Sequence, residues 1–356
     1  MTHEADRPWR RRPSVATPNA RPRADWLARS KEAPLLPELE IVDAHHHLWD
    51  RQGHRYLLEE FAEDIGESGH HVVSSVFVQC RTMYRADGPL RYRPLGEVEF
   101  IRGVAAQARS GFYGKTRVAQ AIVGCADLLE GAAVAPVLEA MVAAGGGAFK
   151  GVRLPVASHP DPAVRSNPVP APAGLLTDTR FVAGARELAR RGLSLDLWVY
   201  QTQLDEVAAL ARQLPDLQIV LNHAGGPLGV GPFEGRPVQG RNAWAAAMQR
   251  LAERPNVAVK LGGFGMPIMG FGFEQGECAP SAAHIAEVIS PYVQQCVALF
   301  GTTRCMFESN FPVDKGGVGY DTLWNAYKRI AWSLREAQRA DLFSGTARRI
   351  YRIPGS

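Results

Sequence analysis

Polar residues that could do chemistry gather where strand-like runs of the sequence end. The run that starts at residue 41 ends in DAHHHLWD and carries His45 and His47. Alternate residues of a strand face the same side, so these two imidazoles are expected on one face together with Asp43, and His46 on the other. Two imidazoles at this spacing can share one metal ion or bind one substrate carboxylate. The sequence therefore predicts a histidine site at the end of the first strand.

Later strand-like runs also end in polar side chains. Arg153 ends an otherwise apolar run, and a buried guanidinium needs an anion, which either a substrate carboxylate or a structural carboxylate can supply. His223 ends a run in IVLNHAGGP, and Glu308 and Asn310 share a face in MFESNFPVD. The residues predicted to bind substrate are Gln79, Arg81, Arg153, Tyr200 and Lys260.

These residues need a scaffold, and strand-like runs alternate with helix-like segments along nearly the whole chain. The runs cover residues 41–45, 72–80, 118–125, 149–154, 193–200, 218–223, 256–261 and 305–309. Eight alternating units favour a closed parallel barrel. An open doubly wound sheet usually carries a glycine-rich phosphate turn after its first strand, whereas three histidines stand there in this chain. We predict an α/β fold, a (β/α)₈ TIM barrel, with its site at the C-terminal mouth.

The positive charge of the chain is confined to its start. Residues 1–32 hold eight Lys and Arg against four Asp and Glu, which accounts for the whole formal net charge of +4. The basic balance therefore describes a solvated Pro- and Arg-rich tail (1–37) ahead of a barrel (38–356), and no nucleic-acid partner is expected.

Two further observations bear on where the protein works. No run approaches the roughly 20 apolar residues of a membrane span, so no membrane partner is expected. The cysteines are odd in number and scattered, with no C-x-x-C pair, which is typical of free thiols in a reducing cytoplasm. They are Cys80, Cys125, Cys278, Cys296 and Cys305.

Five motifs together resemble the amidohydrolase-related family, in particular its branch of sugar-lactone and 2-pyrone-4,6-dicarboxylate lactonases. They are HHHLWD after the first strand, GVR in the fourth, LNHAGGP in the sixth, NVAVKL in the seventh and SNFP after the eighth. The resemblance spans about residues 38–353. It implies a hydrolase of a small-molecule substrate, with His45, His47 and His223 around the reaction site and Arg153 near the substrate.

The chain departs from this family at the eighth strand. Where the family usually has an aspartate that activates water, this chain has Asn310, and an amide is no base at neutral pH. Glu308, two places earlier, either supplies the missing carboxylate or forms a buried ion pair with Lys260, and we favour the ion pair. Asp314 and His223 are the other candidate bases.

The same departure bears on cofactors. Three histidines and a water form a known zinc arrangement, for which the ligands would be His45, His47 and His223. A two-metal site is not expected without the aspartate. One zinc ion and no obligatory metal are the two alternatives that the sequence leaves open.

The resemblance favours opening of a cyclic ester, with His45, His47, His223, Asn310 and Glu308 as the catalytic set. A metal-dependent decarboxylase or amide hydrolase of the same superfamily is the enzymatic alternative. A non-catalytic barrel that binds a small acid is the alternative of another class. Barrels often pair, so a homodimer is the assembly to look for.

Overall fold

The computed structural model describes residues 19–51, 53–167 and 171–355. Eight parallel strands form one sheet in which each strand pairs with the next along the chain. Two backbone hydrogen bonds close the sheet. The amide N of His47 donates to the carbonyl O of Phe311 (2.8 Å), and the amide N of Asn310 donates to the carbonyl O of His45 (2.9 Å). The predicted (β/α)₈ barrel is therefore confirmed. Its strands are β1 (Ile41–His46), β2 (Val72–Val78), β3 (Arg117–Gly124), β4 (Phe149–Pro155), β5 (Ser194–Trp198), β6 (Ile219–Leu221), β7 (Val257–Leu261) and β8 (Cys305–Phe307).

One helix follows each strand and covers the outside of the barrel. The outward strand residues pack against these helices in one continuous apolar cluster. The helices are α1 (Leu58–Ser68), α2 (Leu95–Ala108), α3 (Ala135–Gly145), α4 (Thr179–Arg190), α5 (Leu204–Gln213), α6 (Pro237–Ala252), α7 (Ala282–Phe300) and α8 (Tyr320–Ile330). A hairpin of Trp49–Arg51 and His54–Tyr56 lies between β1 and α1.

The barrel interior is apolar at the bottom and polar toward the C-terminal ends of the strands. Val42, Val76, Val123 and Met306 belong to an interior cluster that Tyr351 of the C-terminal segment joins. Above this layer stand the polar residues at the C-terminal strand ends. This layering is typical of TIM barrels, in which the active site lies at the C-terminal mouth.

A bulge in β1 changes which side chains share a face. Asp43 pairs with Ser75 and His46 with Phe77, so β1 has one residue more than β2 over this stretch. Asp43 consequently faces out of the barrel, where its carboxylate accepts from the Tyr320 hydroxyl of α8 at 3.1 Å. The prediction that Asp43 shares a face with His45 and His47 is wrong, because simple alternation does not survive the extra residue.

The N-terminal segment is not simply a solvated tail. Residues 19–36, which we call the arm, include a short helix (Ala24–Ala28) whose Trp26 is buried. The Trp26 indole donates to the carbonyl O of Gly276 at 2.8 Å. Residues 1–18, which contribute half of the net charge of residues 1–32, lie outside the described residues.

An apolar stretch also precedes β4. The 18-residue window Leu128–Gly145 is apolar enough, by composition, to cross a membrane. Within it the backbone leaves helical geometry at Gly131 (φ 61°, ψ −139°), and the α-helix that follows, α3, has 11 residues. Eleven residues are about half of what a bilayer-spanning helix needs.

Candidate active site

Three histidines and Glu308 form a buried cluster at the mouth. Glu308 accepts from His223 through one carboxylate oxygen, with Oε1 2.6 Å from Nδ1 and 3.1 Å from the backbone N of His223. Its other oxygen, Oε2, lies 2.8 Å from Nδ1 of His45. In His223, Nδ1 is assigned as the donor to Glu308, so Nε2 carries the lone pair and points away from the carboxylate.

Nε2 of His45 is the centre of a second set of contacts. It lies 3.2 Å from Nε2 of His47 and 3.2 Å from a guanidinium nitrogen of Arg153. The other ring nitrogen of His47, Nδ1, is hydrogen-bonded to the carbonyl O of Val78 at 2.7 Å. Burial lowers the pKa of His45 and of His47 well below the usual histidine value, and the Arg153 charge lowers the pKa of His47 further. Both rings are therefore neutral near pH 7.

Unusual backbone geometry concentrates at this cluster. His223 (φ 53°) and Asn310 (φ 55°) occupy the left-handed region that favours glycine. Such residues each store about 1–3 kcal/mol of strain, and the surrounding structure must supply it. Gly263 makes room for the arrangement, because a β-carbon there would lie 2.6 Å from Cγ of His223. The glycines of the β7 loop thus allow the His223 ring to approach Glu308.

A cavity of about 180 Å³ opens above the histidines. His47 and His223 line it from the barrel side, and Arg51, Arg81 and Arg153 bring three guanidinium groups to its wall. None of the described residues that line the cavity is acidic. The other lining residues are Asn19, Trp49, Gln79, Cys80, Pro155, Ser166, Asn167, Trp198, Met266, Asn310 and Val313.

Asn310 lines the cavity with its amide held in one orientation. Its Nδ2 donates to Oδ1 of Asp314 at 2.7 Å, and Oδ2 of Asp314 accepts from the backbone N of Gly265 at 2.9 Å. This bond uses one of the two N–H groups of Asn310 and fixes the orientation of its amide. Burial raises the pKa of Asp314 to about 8, so this carboxyl is held behind the wall as a largely protonated group at pH 7.

The predicted ion pair between Glu308 and Lys260 is wrong. Lys260 donates to Oδ2 of Asp196 at 2.8 Å, and the Tyr351 hydroxyl donates to the same oxygen at 2.7 Å. Lys260 is fully buried and is not among the residues that line the cavity, so the structure does not bring it to the predicted binding site. Asp196 lies on β5 and reaches the ammonium first, which leaves the Glu308 carboxylate to the two histidines.

Tyr200 likewise is not among the residues that line the cavity. Its hydroxyl bonds to Oγ of Ser166 at 2.8 Å, and Oγ of Ser166 also accepts from the indole of Trp198 at 3.0 Å. Ser166 and Trp198 reach the cavity, whereas Tyr200 stands behind them. Of the other predicted binding residues, Gln79, Arg81 and Arg153 all line the cavity.

Sequence reasoning missed two residues of the hairpin after β1. Trp49 lines the cavity, and the guanidinium of Arg51 lies over its ring at 4.0 Å while donating to the carbonyl O of Cys80 at 2.6 Å. The signal was present in the sequence, since Trp49-Asp50-Arg51 directly continues the histidine motif.

The donor set suits a single first-row metal ion. His45, His223 and Glu308 offer two imidazole nitrogens and a carboxylate oxygen within 4.8 Å of one another, a combination that zinc accepts. This set differs from the predicted three histidines, because Glu308 takes the place of His47. As the side chains stand, Oε1 of Glu308 is at hydrogen-bonding distance from His223, so the carboxylate would move slightly to share an ion. The Nε2 pair of His45 and His47, 3.2 Å apart, is spaced as two ligands of one ion are.

Comparison with known proteins places the chain among related sequences and structures. A sequence model described as "Amidohydrolase" matches residues 42–353. An uncharacterised protein of Sinorhizobium fredii (strain NBRC 101917 / NGR234), y4mH, is 33% identical over 89% of this chain and 100% of its own length. A protein of Burkholderia ambifaria named L-fucono-1,5-lactonase is 26% identical over 88% of this chain and 95% of its own length.

Solved structures agree with the fold. A Burkholderia multivorans amidohydrolase with bound zinc has a TM-score of 0.63 at 24% identity, and the match covers 88% of this chain and 99% of that protein. A dihydroxybenzoic acid decarboxylase from Polaromonas sp. JS666, with bound manganese, has a TM-score of 0.55 at 13% identity over 89% of this chain and 98% of its own. These identities show a shared barrel and no more. The match to the family's sequence model over nearly the whole barrel goes further: the chain is a hydrolase that belongs to the amidohydrolase family.

Proposed function

We propose that this hydrolase opens the ring of a lactone that carries a carboxylate or derives from a sugar acid. One observation carries the proposal: the cavity joins two histidines to three arginines with no acidic group among its described lining residues. Arginine binds carboxylates through two parallel hydrogen bonds, so the wall suits an anionic or strongly polar ligand. The relative named L-fucono-1,5-lactonase supports a lactone as the reacting group.

His223 is the proposed general base. Glu308 holds its Nδ1, so Nε2 faces the cavity and can accept a proton from water, as in other histidine–carboxylate pairs. The carboxylate stabilises the imidazolium that results. Glu308 is thus a positioning residue that acts through His223, and the missing aspartate at position 310 is not needed for this step.

The reaction balances with water alone. The oxygen of water bonds to the lactone carbonyl carbon while His223 takes its proton, and Arg153 stabilises the negative charge that develops on the carbonyl oxygen. The ring C–O bond then breaks, and the departing oxygen receives the proton from His223. The product is a hydroxy acid that ionises at neutral pH and releases one proton to the solvent.

This scheme does not require a metal, and a bound ion would change the role of His223, because an imidazole whose lone pair ligates an ion cannot also accept a proton. His45 and His223, with Glu308 or His47, would hold the ion, and zinc would supply a Lewis acid and a water of lowered pKa. The zinc reported for the Burkholderia multivorans structure motivates a direct measurement. The five cysteines are all free, which is compatible with our expectation of a reducing, cytoplasmic setting.

The proposal is tested by proton release, followed with a pH indicator, from a panel of neutral and carboxylated lactones. We expect turnover, before and after chelation, with elemental analysis of the same samples. Loss of activity together with one equivalent of zinc would assign the metal an essential role. A panel without proton release would refute the proposal. Release of CO₂ from aromatic acids by the metal-loaded protein would then favour a decarboxylase.

A further inference from the structure

We propose that Glu97, which is not among the residues that line the cavity, is a positioning residue that holds the three arginines of the cavity wall in place. It acts through residues 79–82 directly after β2, which we call the β2 turn. The inference rests on the proposed function for the identity of the substrate alone, because the contacts that carry it exist without any ligand.

Glu97 holds the β2 turn through two backbone amides. It lies in the first turn of α2 and is fully buried. Its carboxylate oxygen Oε1 accepts from the backbone N of Cys80 at 2.9 Å and from the backbone N of Thr82 at 3.0 Å. The helix comes this close because Gly96 has no side chain, and a β-carbon there would overlap the carbonyl O of Met83. The start of α2 therefore packs directly against the chain that follows β2.

The β2 turn needs this support because its backbone is strained at Arg81. This residue has a φ of 62°, in the left-handed region that favours glycine, and such conformations persist where the surrounding structure enforces them. The amides on either side of it converge on one oxygen, as backbone N–H groups converge on an anion in other turns. Burial raises the pKa of Glu97 to about 7, whereas the bonds from these two amides lower it, so the turn favours the ionised carboxyl. Glu97 thus fixes the backbone that directs the Arg81 side chain to the cavity.

The carbonyl groups of the same turn hold the other two arginines. The guanidinium of Arg153 donates to the carbonyl O of Gln79. The guanidinium of Arg51 donates to the carbonyl O of Cys80 at 2.6 Å. Arg153 comes from β4 and Arg51 from the hairpin after β1, so the β2 turn joins elements that are separate in the sequence. A displacement of the turn would therefore displace all three guanidinium groups together.

Two substitutions separate the hydrogen bonds of Glu97 from its charge. Both amides bond to the same oxygen, and an amide side chain of equal length can place its oxygen at that point. Glu97→Gln therefore keeps both hydrogen bonds and removes the charge. Glu97→Asp keeps a carboxylate and withdraws it from the turn by one carbon–carbon bond, about 1.5 Å. If Glu97 positions the turn, the aspartate variant is the one that releases the arginines.

Labelling of arginines with phenylglyoxal, mapped by mass spectrometry, tests the proposal without any ligand. We expect Arg51 and Arg153 to react about tenfold faster in Glu97→Asp than in the wild-type protein, the range that loss of one hydrogen bond produces. In Glu97→Gln both rates should stay within about threefold of wild type. Glu99→Asp, at an exposed position two residues further along α2, is the matched control and should label as wild type does.

Arg304 reports in the same samples on general loosening of the fold. It is held by the carbonyl oxygens of Ala252 (3.1 Å) and Arg254 (2.9 Å), remote from the mouth, and should keep its wild-type rate in every variant. Faster labelling of Arg304 in Glu97→Asp would overturn the proposal, as would wild-type rates at the cavity arginines. The reverse pattern, with release in Glu97→Gln alone, would also overturn it, because the carboxylate would then act through its charge.

Turnover tests the consequence for the substrate, including the contribution of Arg81, which is exposed and labels in any case. On carboxylated lactones KM should rise about tenfold in Glu97→Asp and stay within about threefold of wild type in Glu97→Gln. An unchanged KM in a Glu97→Asp protein whose arginines are released would overturn the role in positioning. Because the labelling involves no lactone, its failure is distinct from a failure of the lactonase proposal.

Discussion

Replacing Asn310 by aspartate restores the residue that the family usually has, yet the structure predicts that it destabilises this chain. Asn310 donates from Nδ2 to Oδ1 of Asp314 at 2.7 Å, and both side chains are almost fully buried. Asn310→Asp turns the donor into an acceptor and sets a second carboxylate against the first. Two buried carboxyl groups at this distance cannot both ionise, so they must share a proton.

The size of the effect follows from two terms. Once the shared proton is lost at high pH, no hydrogen bond joins the two carboxylates, and an unsatisfied buried acceptor costs about 1–3 kcal/mol. The variant also buries a new charge, so we expect a total loss of about 2–4 kcal/mol in the free energy of unfolding at pH 9. The pKa of Asp314 is already raised to about 8 by burial, and its ordinary unfolded value is about 4. The folded state therefore binds more protons than the unfolded state above pH 4, and stability falls as pH rises.

The assay is urea unfolding at pH 6 and pH 9 of wild type, Asn310→Asp, Asp314→Asn and the reciprocal double variant. In the double variant the introduced amide can donate to the introduced carboxylate, so the bond re-forms with its direction reversed. We expect Asn310→Asp to be further below wild type at pH 9 than at pH 6, and the double variant to recover at least half of the loss. The reasoning would be refuted if Asn310→Asp were as stable as wild type at pH 9. It would also be refuted if the stability change of the double variant equalled the sum of the two single-variant changes within about 0.5 kcal/mol.

Three further variants separate the roles assigned in the mouth. Glu308→Gln should lower kcat on the best lactone about 100-fold, within the usual range for a disturbed general base, and change KM less than threefold. The exposed Glu253→Gln should change neither value, and a normal kcat in Glu308→Gln would show that Glu308 does not position His223. Lys260→Met leaves the Asp196 charge buried and unpaired, so urea unfolding should show a loss of about 3–5 kcal/mol in stability while KM is unchanged. The exposed Lys31→Met should lose at most about 1 kcal/mol. A large rise in KM in Lys260→Met would show that Lys260 does contribute to substrate binding. Arg81→Met should raise KM about tenfold for carboxylated lactones and leave it unchanged for neutral ones, and Arg117→Met at the start of β3 is the control. An equal rise for both kinds of lactone would show that Arg81 does not contact the substrate carboxylate.

Much of the barrel was accessible from the sequence because buried parallel strands are short, apolar and β-branched. Each of the eight predicted runs overlaps its observed strand, with ends that differ by a few residues. The polar residues at the strand ends were found for the same reason, since an apolar run makes a terminal arginine or histidine conspicuous. The apolar strands that identify the barrel in the sequence are thus the same elements that position the polar side chains of the site.

The errors arose where side chains depend on partners remote in sequence. Alternation placed Asp43 with the histidines, but the β1 bulge turns it outward, and a bulge has no clear mark in one strand's sequence. Asp196 and Glu308 are both buried acids that could pair with Lys260, and the sequence does not show which carboxylate lies closer to the ammonium. Trp26, taken with the tail as solvated, is buried because the β7–α7 loop receives it.

The most direct test of the central claim is whether His223 is the base. We expect His223→Ala to lower kcat about 10²- to 10⁴-fold in a protein that still folds, with a loss of about 1–3 kcal/mol in stability because the buried Glu308 loses a donor. Added imidazole should restore part of the rate by entering the space that the side chain leaves. His71→Ala, which removes a histidine from the surface, should behave as wild type. Full activity of a folded His223→Ala protein would contradict the account, because no other described group that lines the cavity combines an open imidazole nitrogen with a carboxylate behind it.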